Sequence, residues 1–220
     1  CEQGAEQNLY TGRRKFMTNI GALILAAGKS SRMGKPKLLL PFKGAPIVTH
    51  AVSLAIRNQL HPIVCVTGGY EGEVKHVLAR FGENATIHYN PDYESGMASS
   101  LKEGIHALQG KVDAVIIFLG DQPLVPNKVI QTIIQEYKAN KEKGVKIVRP
   151  IYNQQIGHPI LFDSGLFHEF EALHGDEGGK GIIQQYKDYL KLIHFPNSDW
   201  GIDIDTPEEY LTLLKRNDGI

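Results

Sequence analysis

The residues best suited to chemistry lie in a basic loop near the start of the chain. The run Leu25-Ala-Ala-Gly-Lys-Ser-Ser-Arg-Met-Gly-Lys-Pro-Lys37 follows an apolar segment, Ile20 to Leu25, that predicts a buried strand. The run contains two glycines and four cations, which are Lys29, Arg32, Lys35 and Lys37. Glycine lets backbone N–H groups approach a phosphate closely, and the cations neutralise its charge. The segment therefore predicts a loop that binds a polyphosphate.

Two common nucleotide-binding motifs do not fit this loop. Gly28-Lys29-Ser30 resembles the end of a Walker-type phosphate loop, but that motif needs a glycine at position 23, which is Leu. No Gly-x-Gly-x-x-Gly follows any predicted strand, so a dinucleotide-dependent dehydrogenase is disfavoured as well.

Carboxylates at two further places could hold a metal ion. Asp121 directly follows the apolar strand predicted over 115–119, in Gly-Asp-Gln-Pro, and alternation puts Asp203 and Asp205 on one side of an extended segment. Mg²⁺ needs few protein carboxylates when phosphates and water complete its shell, so Asp121 with Asp203 or Asp205 would suffice. Two other interpretations stay open: Asp-x-Pro is a common turn, and Asp205 could simply help Thr206 to cap the last helix.

Strand and helix patterns alternate along most of the chain. Strands are predicted at 20–25, 62–67, 86–88, 114–119 and 146–148, and helices at 46–57, 71–81, 97–108, 127–139 and from 207. This alternation predicts an α/β fold in three layers, a Rossmann-like, mostly parallel sheet with helices on both faces. We expect residues 17–220 to form a single domain, residues 1–16 to be an extension, and ligands to bind at the carboxyl ends of the strands.

Charge is unevenly distributed although its sum is zero. The chain has 220 residues with 24 basic and 24 acidic side chains, yet residues 7–70 contain nine Lys or Arg and no Asp or Glu. A cationic first third beside an acidic remainder suits a site in which one side holds phosphates and the other a metal; a solvated surface pattern is the alternative.

Composition and segment lengths favour a cytoplasmic protein. The apolar runs are too short to span a bilayer, and residues 1–16 lack the apolar core of a signal peptide. Of the two cysteines, Cys65 lies in an apolar run and is expected to be a core residue. We see no nucleic-acid motif, so neither nucleic acid nor membrane is expected as a partner.

Six motifs in collinear order resemble the molybdenum cofactor cytidylyltransferase family, whose members have the nucleotide-diphospho-sugar transferase fold. The resemblance covers about residues 18–215. The motifs are the loop Leu25–Lys37, Asn90-Pro-x-x-x-x-Gly-Met-x-x-Ser100, Leu119-Gly-Asp-Gln-Pro123, Gly157-His-Pro-Ile-Leu-Phe162, Gly175-Asp-x-Gly178 and Asp203-Ile-Asp-Thr-Pro-Glu208.

The resemblance implies transfer of CMP from CTP to the phosphate of molybdopterin, with release of pyrophosphate. It implies that Arg32 and Lys37 contact the triphosphate, and that Mg²⁺ binds Asp121 with Asp203 or Asp205. The acceptor phosphate is already anionic, so no general base is assigned. By the same resemblance the nucleotide is bound by Leu25, Ala26, Ala27, Gly28, Thr67, Gly68, Asn90, Ser99 and Ser100.

The resemblance also indicates which base and which acceptor are used. Leu-Ala-Ala-Gly accompanies CTP enzymes of the family, whereas guanylyltransferase relatives carry Leu-Ala-Gly-Gly, so Ala27 favours CTP. His158, Gly175, Asp176 and Lys180 would contact the acceptor. Lys180 departs from the Arg usual in the family, and an ammonium lacks the bidentate fork of a guanidinium.

Two other functions are weighed against this one. The first is a sugar- or polyol-phosphate nucleotidyltransferase, which keeps the fold and changes the acceptor. The second is a non-catalytic carrier that delivers finished cofactor to a molybdenum hydroxylase, the expected recipient of the product. The triphosphate and metal residues count against a purely binding role.

Overall fold

An eight-stranded β-sheet organises residues 18–30 and 33–217, which are the residues described by the computed structural model. The predicted extension over residues 1–16 and the predicted site residue Arg32 lie outside the described residues. The strands are β1 (Ile20–Ala26), β2 (Pro41–Phe42), β3 (Ala45–Pro46), β4 (Ile63–Thr67), β5 (Thr86–Tyr89), β6 (Ala114–Leu119), β7 (Ile147–Tyr152), β8 (Gln155–Ile156), β9 (Ile160–Asp163) and β10 (Leu190–Phe195). The helices are α1 (Ile47–Arg57), α2 (Glu71–Leu78), α3 (Met97–Leu108), α4 (Asn127–Asn140), α5 (Lys180–Gln185) and α6 (Pro207–Asn217).

The sheet is mostly parallel, as the alternation of strands and helices predicts. Its order is β10-β7-β9-β6-β1-β4-β5, with β8 paired to β7, while β2 and β3 form a separate hairpin. Strands β1, β4, β5 and β6 pair in parallel, as do β7 and β10, but β9 runs antiparallel to both its neighbours. The three-layer α/β fold is therefore confirmed, with two reversed strands, β8 and β9, that the sequence patterns did not reveal.

Alternating side chains of the central strands supply two separate cores. Ala22 and Ile24 of β1 pack on the face covered by α1, α2, α4 and α6, whereas Leu23 packs on the face covered by α3 and α5. Neighbouring strands show the same alternation, which is expected for a sheet buried on both faces. Cys65 belongs to the first core, and burial raises the pKa of its thiol to about 12, in agreement with a structural role.

The second half of the chain differs most from the sequence expectation. Strand β7 continues through Pro150 to Tyr152 instead of ending near residue 148, and three more strands follow. The helix expected to reach residue 81 ends at Leu78 and continues as a 3-10 segment. The expected cap of the last helix is present: Glu209 N–H donates to Thr206 Oγ1 at 3.2 Å, and Glu209 Oε2 accepts from Thr206 N–H. Within the described part of the chain no helix is long and apolar enough to cross a membrane.

The contact between α3 and β1 depends on a glycine. A Cβ at Gly104 would lie 2.1 Å from Leu23 Cδ1, and Leu23 is fully buried. We expect Gly104→Ala to push α3 from the sheet and to lower the free energy of unfolding by about 1–3 kcal/mol, measured by urea denaturation. Gly72→Ala in α2 is the matched control: its Cβ would meet nothing within 4 Å, so stability should rise by up to about 1 kcal/mol. Equal effects of the two substitutions would contradict this account of the packing.

Candidate active site

A buried ion-pair cluster lies at the carboxyl end of β1 and β6. The ammonium of Lys37 donates to Asp121 Oδ2 at 2.5 Å and to Asp205 Oδ1 at 2.7 Å, and only 12% of the Lys37 side chain is exposed. Burial lowers the pKa of Lys37, but the charges of the two carboxylates and their hydrogen bonds outweigh it, so the pKa lies above its ordinary value. Lys37 is therefore a fixed positive charge.

The three cluster members come from distant parts of the sequence. Asp121 lies just beyond β6, where Gly120 N–H donates to Leu25 O of β1 at 2.9 Å. Lys37 lies beyond β1 at the end of the basic loop, which folds back so that its N–H donates to Ser30 Oγ at 3.1 Å. Adjacent parallel strands thus place the lysine and the aspartate side by side, and residues 203–205 approach from near the end of the chain.

Asp203 faces the same space and is held by an amide that the sequence reasoning did not single out. Gln122 Nε2 donates to Asp203 Oδ1 at 2.7 Å and more weakly to Gly201 O. Loss of hydration and the neighbouring Asp121 carboxylate raise the pKa of Asp203 to about 6. Gln122 Oε1 is buried and has no hydrogen-bond partner among the described residues. Gln122 therefore positions Asp203, with one of its own polar atoms left unpaired.

The donor set fits a divalent cation that takes most of its ligands from elsewhere. Carboxylate oxygens are the protein ligands that Mg²⁺ prefers, and a cation would relieve the repulsion from Asp121 that, after burial, raises the pKa of Asp203. Across residues 18–30 and 33–217, no group of three or more His, Cys, Asp or Glu side chains is arranged to hold a metal ion. Any Mg²⁺ would therefore need phosphate or water ligands in addition to Asp121 and one neighbouring carboxylate.

A cavity of about 520 Å³ opens over the cluster. Eight of the residues expected from the sequence line it, together with Asp176 from the expected acceptor set. The lining includes Leu25, Ala27, Gly28, Lys37, Ser100, Asp121, Asp176, Asp203 and Asp205. Lys29, one of the cations of the predicted polyphosphate loop, lines it as well, and so do Leu38, Tyr93, Glu94, Gly96 and Met97, which were not expected to bind ligand. At one side Lys29 forms an ion pair of 3.1 Å with Glu94.

Four expected nucleotide-binding residues do not line this cavity but form the layer beside it. Asn90 is buried, and its Nδ2 donates to Ser99 Oγ at 2.8 Å and Ser100 Oγ at 2.9 Å. Asn90 N–H donates to Thr67 O, and Gly68 packs closely on the Tyr93 ring. The side chains of Asn90, Ser99 and Thr67 thus have partners within the protein, and among these hydroxyls only that of Ser100 faces the cavity. Ala26 points into the core, which leaves its backbone for a ligand.

A second cavity, of about 170 Å³, adjoins the first and shares Leu25, Met97 and Asp176 with it. His158 and Lys180, both expected to contact the acceptor, line this second cavity. Its remaining lining consists of the apolar side chains Leu101, Ile117, Ile160, Phe162 and Ile183, the charged Arg149 and Glu177, and Gly178 and Gly179. Eight of the residues that the sequence predicts to bind nucleotide or metal thus line the larger cavity, whereas two of those predicted to bind the acceptor line only the smaller one.

The glycine-rich loop after residue 174 is hydrogen-bonded to the start of α3. Gly175 O accepts from Ala98 N–H at 2.9 Å, and Asp176 Oδ1 accepts from Met97 N–H at 3.1 Å. Gly175 has a φ of +55°, which favours glycine, and a Cβ on Gly96 would clash with its backbone. Gly175 and Asp176 therefore satisfy N–H groups at the helix N-terminus, a structural role that the sequence did not predict.

The chain belongs to a family of enzymes of the nucleotidyltransferase class, which this fold and this lysine–carboxylate site already indicate. That family is the MobA-like NTP transferase domain family, whose profile matches residues 22–189. The family resemblance stated from the six motifs is thus confirmed.

Three relatives illustrate the range of the family. The molybdenum cofactor cytidylyltransferase of Escherichia coli (strain K12) is 28% identical over 200 residues, covering 91% of this chain and 98% of that protein. The nicotine blue oxidoreductase of Paenarthrobacter nicotinovorans is also 28% identical, covering 89% and 96%. The crystal structure of Rv0371c from Mycobacterium tuberculosis H37Rv superposes with a TM-score of 0.78 at 27% identity, covering 90% and 98%. Two relatives with the same sequence identity thus carry names of different activities, and sequence identity does not distinguish between them.

His158 gives this region a measurable pH dependence. Loss of hydration, and secondly the charge of Arg149, lower the pKa of His158 to about 4. In the unfolded chain the His158 imidazole binds a proton near pH 6.5, whereas in the folded chain it does so only near pH 4. The neutral imidazole therefore contributes to the free energy of unfolding above pH 6.5, and this contribution is lost as the pH falls through 4. We expect the free energy of unfolding, measured in urea, to fall by up to about 3 kcal/mol more between pH 7 and 4 in the wild type than in His158→Gln. The exposed His76→Gln is the control and should keep the wild-type pH dependence; identical profiles for all three proteins would contradict the assignment.

Proposed function

We propose that this protein is a Mg²⁺-dependent cytidylyltransferase that transfers CMP from CTP to the phosphate of molybdopterin. The observation that carries the proposal is the Lys37 ammonium, held between Asp121 and Asp205 at the edge of a 520 Å³ cavity. A buried fixed cation beside carboxylates suits nucleotidyl transfer, which depends on positioning and charge neutralisation more than on covalent chemistry.

The proposed reaction exchanges one phosphorus–oxygen bond for another. An oxygen of the acceptor phosphate attacks the α-phosphorus of CTP, the bond from that phosphorus to the bridging oxygen breaks, and pyrophosphate leaves. Lys37 would move from its carboxylate partners to the phosphates and stabilise negative charge that develops on the departing group. Arg32 is proposed to contact the triphosphate in the same way, from the family motif alone. The attacking oxygen is already anionic, so no side chain has to remove a proton.

The proposed metal site is Asp121 with Asp203 or Asp205. All three carboxylates line the cavity, and Gln122 holds Asp203 in place. A bound Mg²⁺ would supply charge neutralisation and orient the phosphates. The protein's own contribution is to fix the carboxylates: Asp121 by the end of β6, Asp203 by Gln122 and Asp205 by Lys37.

The choice of CTP rests on Ala27 and on the name of the Escherichia coli relative, a cytidylyltransferase. Ala27 and Gly28 line the larger cavity beside Ser100, so the base and ribose are proposed to lie there. Thr67, Gly68, Asn90 and Ser99 would then shape the wall behind these contacts.

The acceptor is proposed to occupy the smaller cavity, with its phosphate directed toward Lys37. His158 and Lys180 line that cavity, and Asp176 lies where the two cavities adjoin. We further propose that residues 17–220 act as one domain, since strands from both halves of the chain share one sheet. The protein would work in the cytoplasm, where CTP is made, and would hand its product to a molybdenum hydroxylase.

Removing the central cation tests catalysis directly. We expect Lys37→Met to lower kcat/KM for CTP-dependent pyrophosphate release by about 10²–10³-fold, because the ammonium stabilises charge that develops during transfer. The measurement uses purified protein with molybdopterin, CTP and Mg²⁺.

Lys35→Met is the matched control because it removes an exposed cation of the same loop that does not line the cavity. It should remain within about threefold of wild type. If wild-type protein binds finished cofactor and passes it to a hydroxylase without any turnover of CTP, the carrier is the correct function. Turnover with sugar or polyol phosphates in place of molybdopterin would instead favour the other nucleotidyltransferase.

Calorimetry with CTP, GTP, ATP and UTP tests the assigned base. We expect CTP to bind most tightly in the presence of Mg²⁺, and Ala27→Gly to reduce the preference for CTP over GTP by about tenfold, since one methyl group is deleted at the cavity wall. Ala139→Gly, at an exposed position of helix α4, controls for the general effect of glycine and should leave the preference unchanged. A wild-type preference for another nucleotide would overturn the proposed product.

A further inference from the structure

The smaller cavity contains a buried positive charge without a protein counter-charge. Arg149 lies in β7 on the same face as Ile147, and only 8% of it is exposed. Its Nε donates to Gly157 O at 3.2 Å, and among the described residues this is its one hydrogen bond. No carboxylate in the described part of the chain forms an ion pair with it, although Asp176 and Glu177 also line the cavity.

Such a group is costly to keep in an apolar protein interior. An ion removed from water without a partner loses hydration that the protein interior does not replace. Side chains of this kind are usually paired or are replaced by apolar ones. The Nε bond leaves the other guanidinium N–H groups without a hydrogen-bond partner among the described residues, and Arg149 lines the cavity, where a ligand could supply the missing negative charge.

The rest of the lining indicates the shape of that ligand. The apolar side chains Leu101, Ile117, Ile160 and Phe162 surround the space. At 170 Å³ it suits one aromatic ring system, since an apolar cavity of about 150 Å³ accommodates a benzene ring. The His158 imidazole stays neutral above a pH of about 4, so it does not add a second buried charge.

We propose that Arg149 anchors the acceptor by pairing with a negatively charged group other than the reacting phosphate, while the apolar side chains of the cavity hold its ring system. The identity of the acceptor rests on the proposed function; the requirement for an anion attached to a ring does not. The reacting phosphate lies in the larger cavity, so Arg149 acts in acceptor binding and not on the transferred group.

The cavity is tested with two pairs of fluorescent ring compounds that differ in charge. Pterin-6-carboxylate is compared with 6-hydroxymethylpterin, and 2-naphthoate with 2-naphthol, by equilibrium titration. We expect the charged member of each pair to bind the wild-type protein at least about tenfold more tightly, because a charge-assisted hydrogen bond exceeds a neutral one by that factor or more. Arg149→Gln should abolish this preference.

Three further variants separate anion binding from a purely structural role. Arg149→Lys keeps the charge and loses the bond to Gly157, so it should retain part of the preference, whereas a structural role predicts that it behaves like Arg149→Gln. Arg149→Met puts an apolar chain of similar length in the cavity and replaces the Gln variant if that fails to fold. The exposed Arg80→Gln is the control and should bind all four probes like wild type.

Kinetics with molybdopterin give a second readout. In Arg149→Gln the KM for the acceptor should rise about tenfold or more while kcat and the Kd of CTP stay within about twofold. A preference for 2-naphthoate without any pterin binding would keep the anion site and remove molybdopterin as the acceptor. Equal binding of charged and neutral probes, or a preference that survives in Arg149→Gln, would overturn the inference.

Discussion

The sharing of one ammonium among carboxylates is the interaction on which the rest of the site depends. Asp121, Asp203 and Asp205 face a common cavity, and burial together with repulsion from Asp121 raises the pKa of Asp203. Lys37 offsets part of that repulsion through two short hydrogen bonds. Because β1 and β6 are neighbours in the sheet, the loop that carries Lys37 and the turn that carries Asp121 begin side by side. Local stability and the capacity to bind phosphates therefore depend on the same contact.

The two adjoining cavities differ in their charges: carboxylates predominate in the larger one, whereas charges of both signs line the smaller one. The larger one collects carboxylates around a single buried cation, an arrangement that accepts a further cation together with phosphates. The smaller one presents the Arg149 guanidinium among apolar side chains. Each cavity is electrostatically incomplete without a ligand, and the ligands that would complete them are of different kinds. This separation favours an enzyme that brings two molecules together over a protein that binds one.

The alternation of strands and helices predicted the first part of the eight-stranded sheet, from β1 to β7. Parallel strands followed by helices leave a clear periodicity, and the loop before Lys37 and the segment after β6 lie at predictable strand ends. Strand β9 was not predicted, because it has only four residues and lies after Pro150, where the alternation of strands and helices becomes less regular. Arg149 was missed although its signal was present: a single charge inside the apolar run of β7. The role of Gln122 depends on Asp203, 81 residues away, and no local pattern reveals such a contact.

The wall between the cavities explains how two ligands could be aligned. Gly175 and Asp176 bond to the first N–H groups of α3, so the loop of the smaller cavity and the helix that borders the larger one share one point of attachment. Leu25 belongs to both cavities and to the central strand β1. A reaction that depends on the approach of an acceptor to a phosphorus atom is sensitive to errors of about 1 Å. Attaching both binding regions to one helix N-terminus and one strand holds that distance constant, which a pair of independently anchored loops would not do.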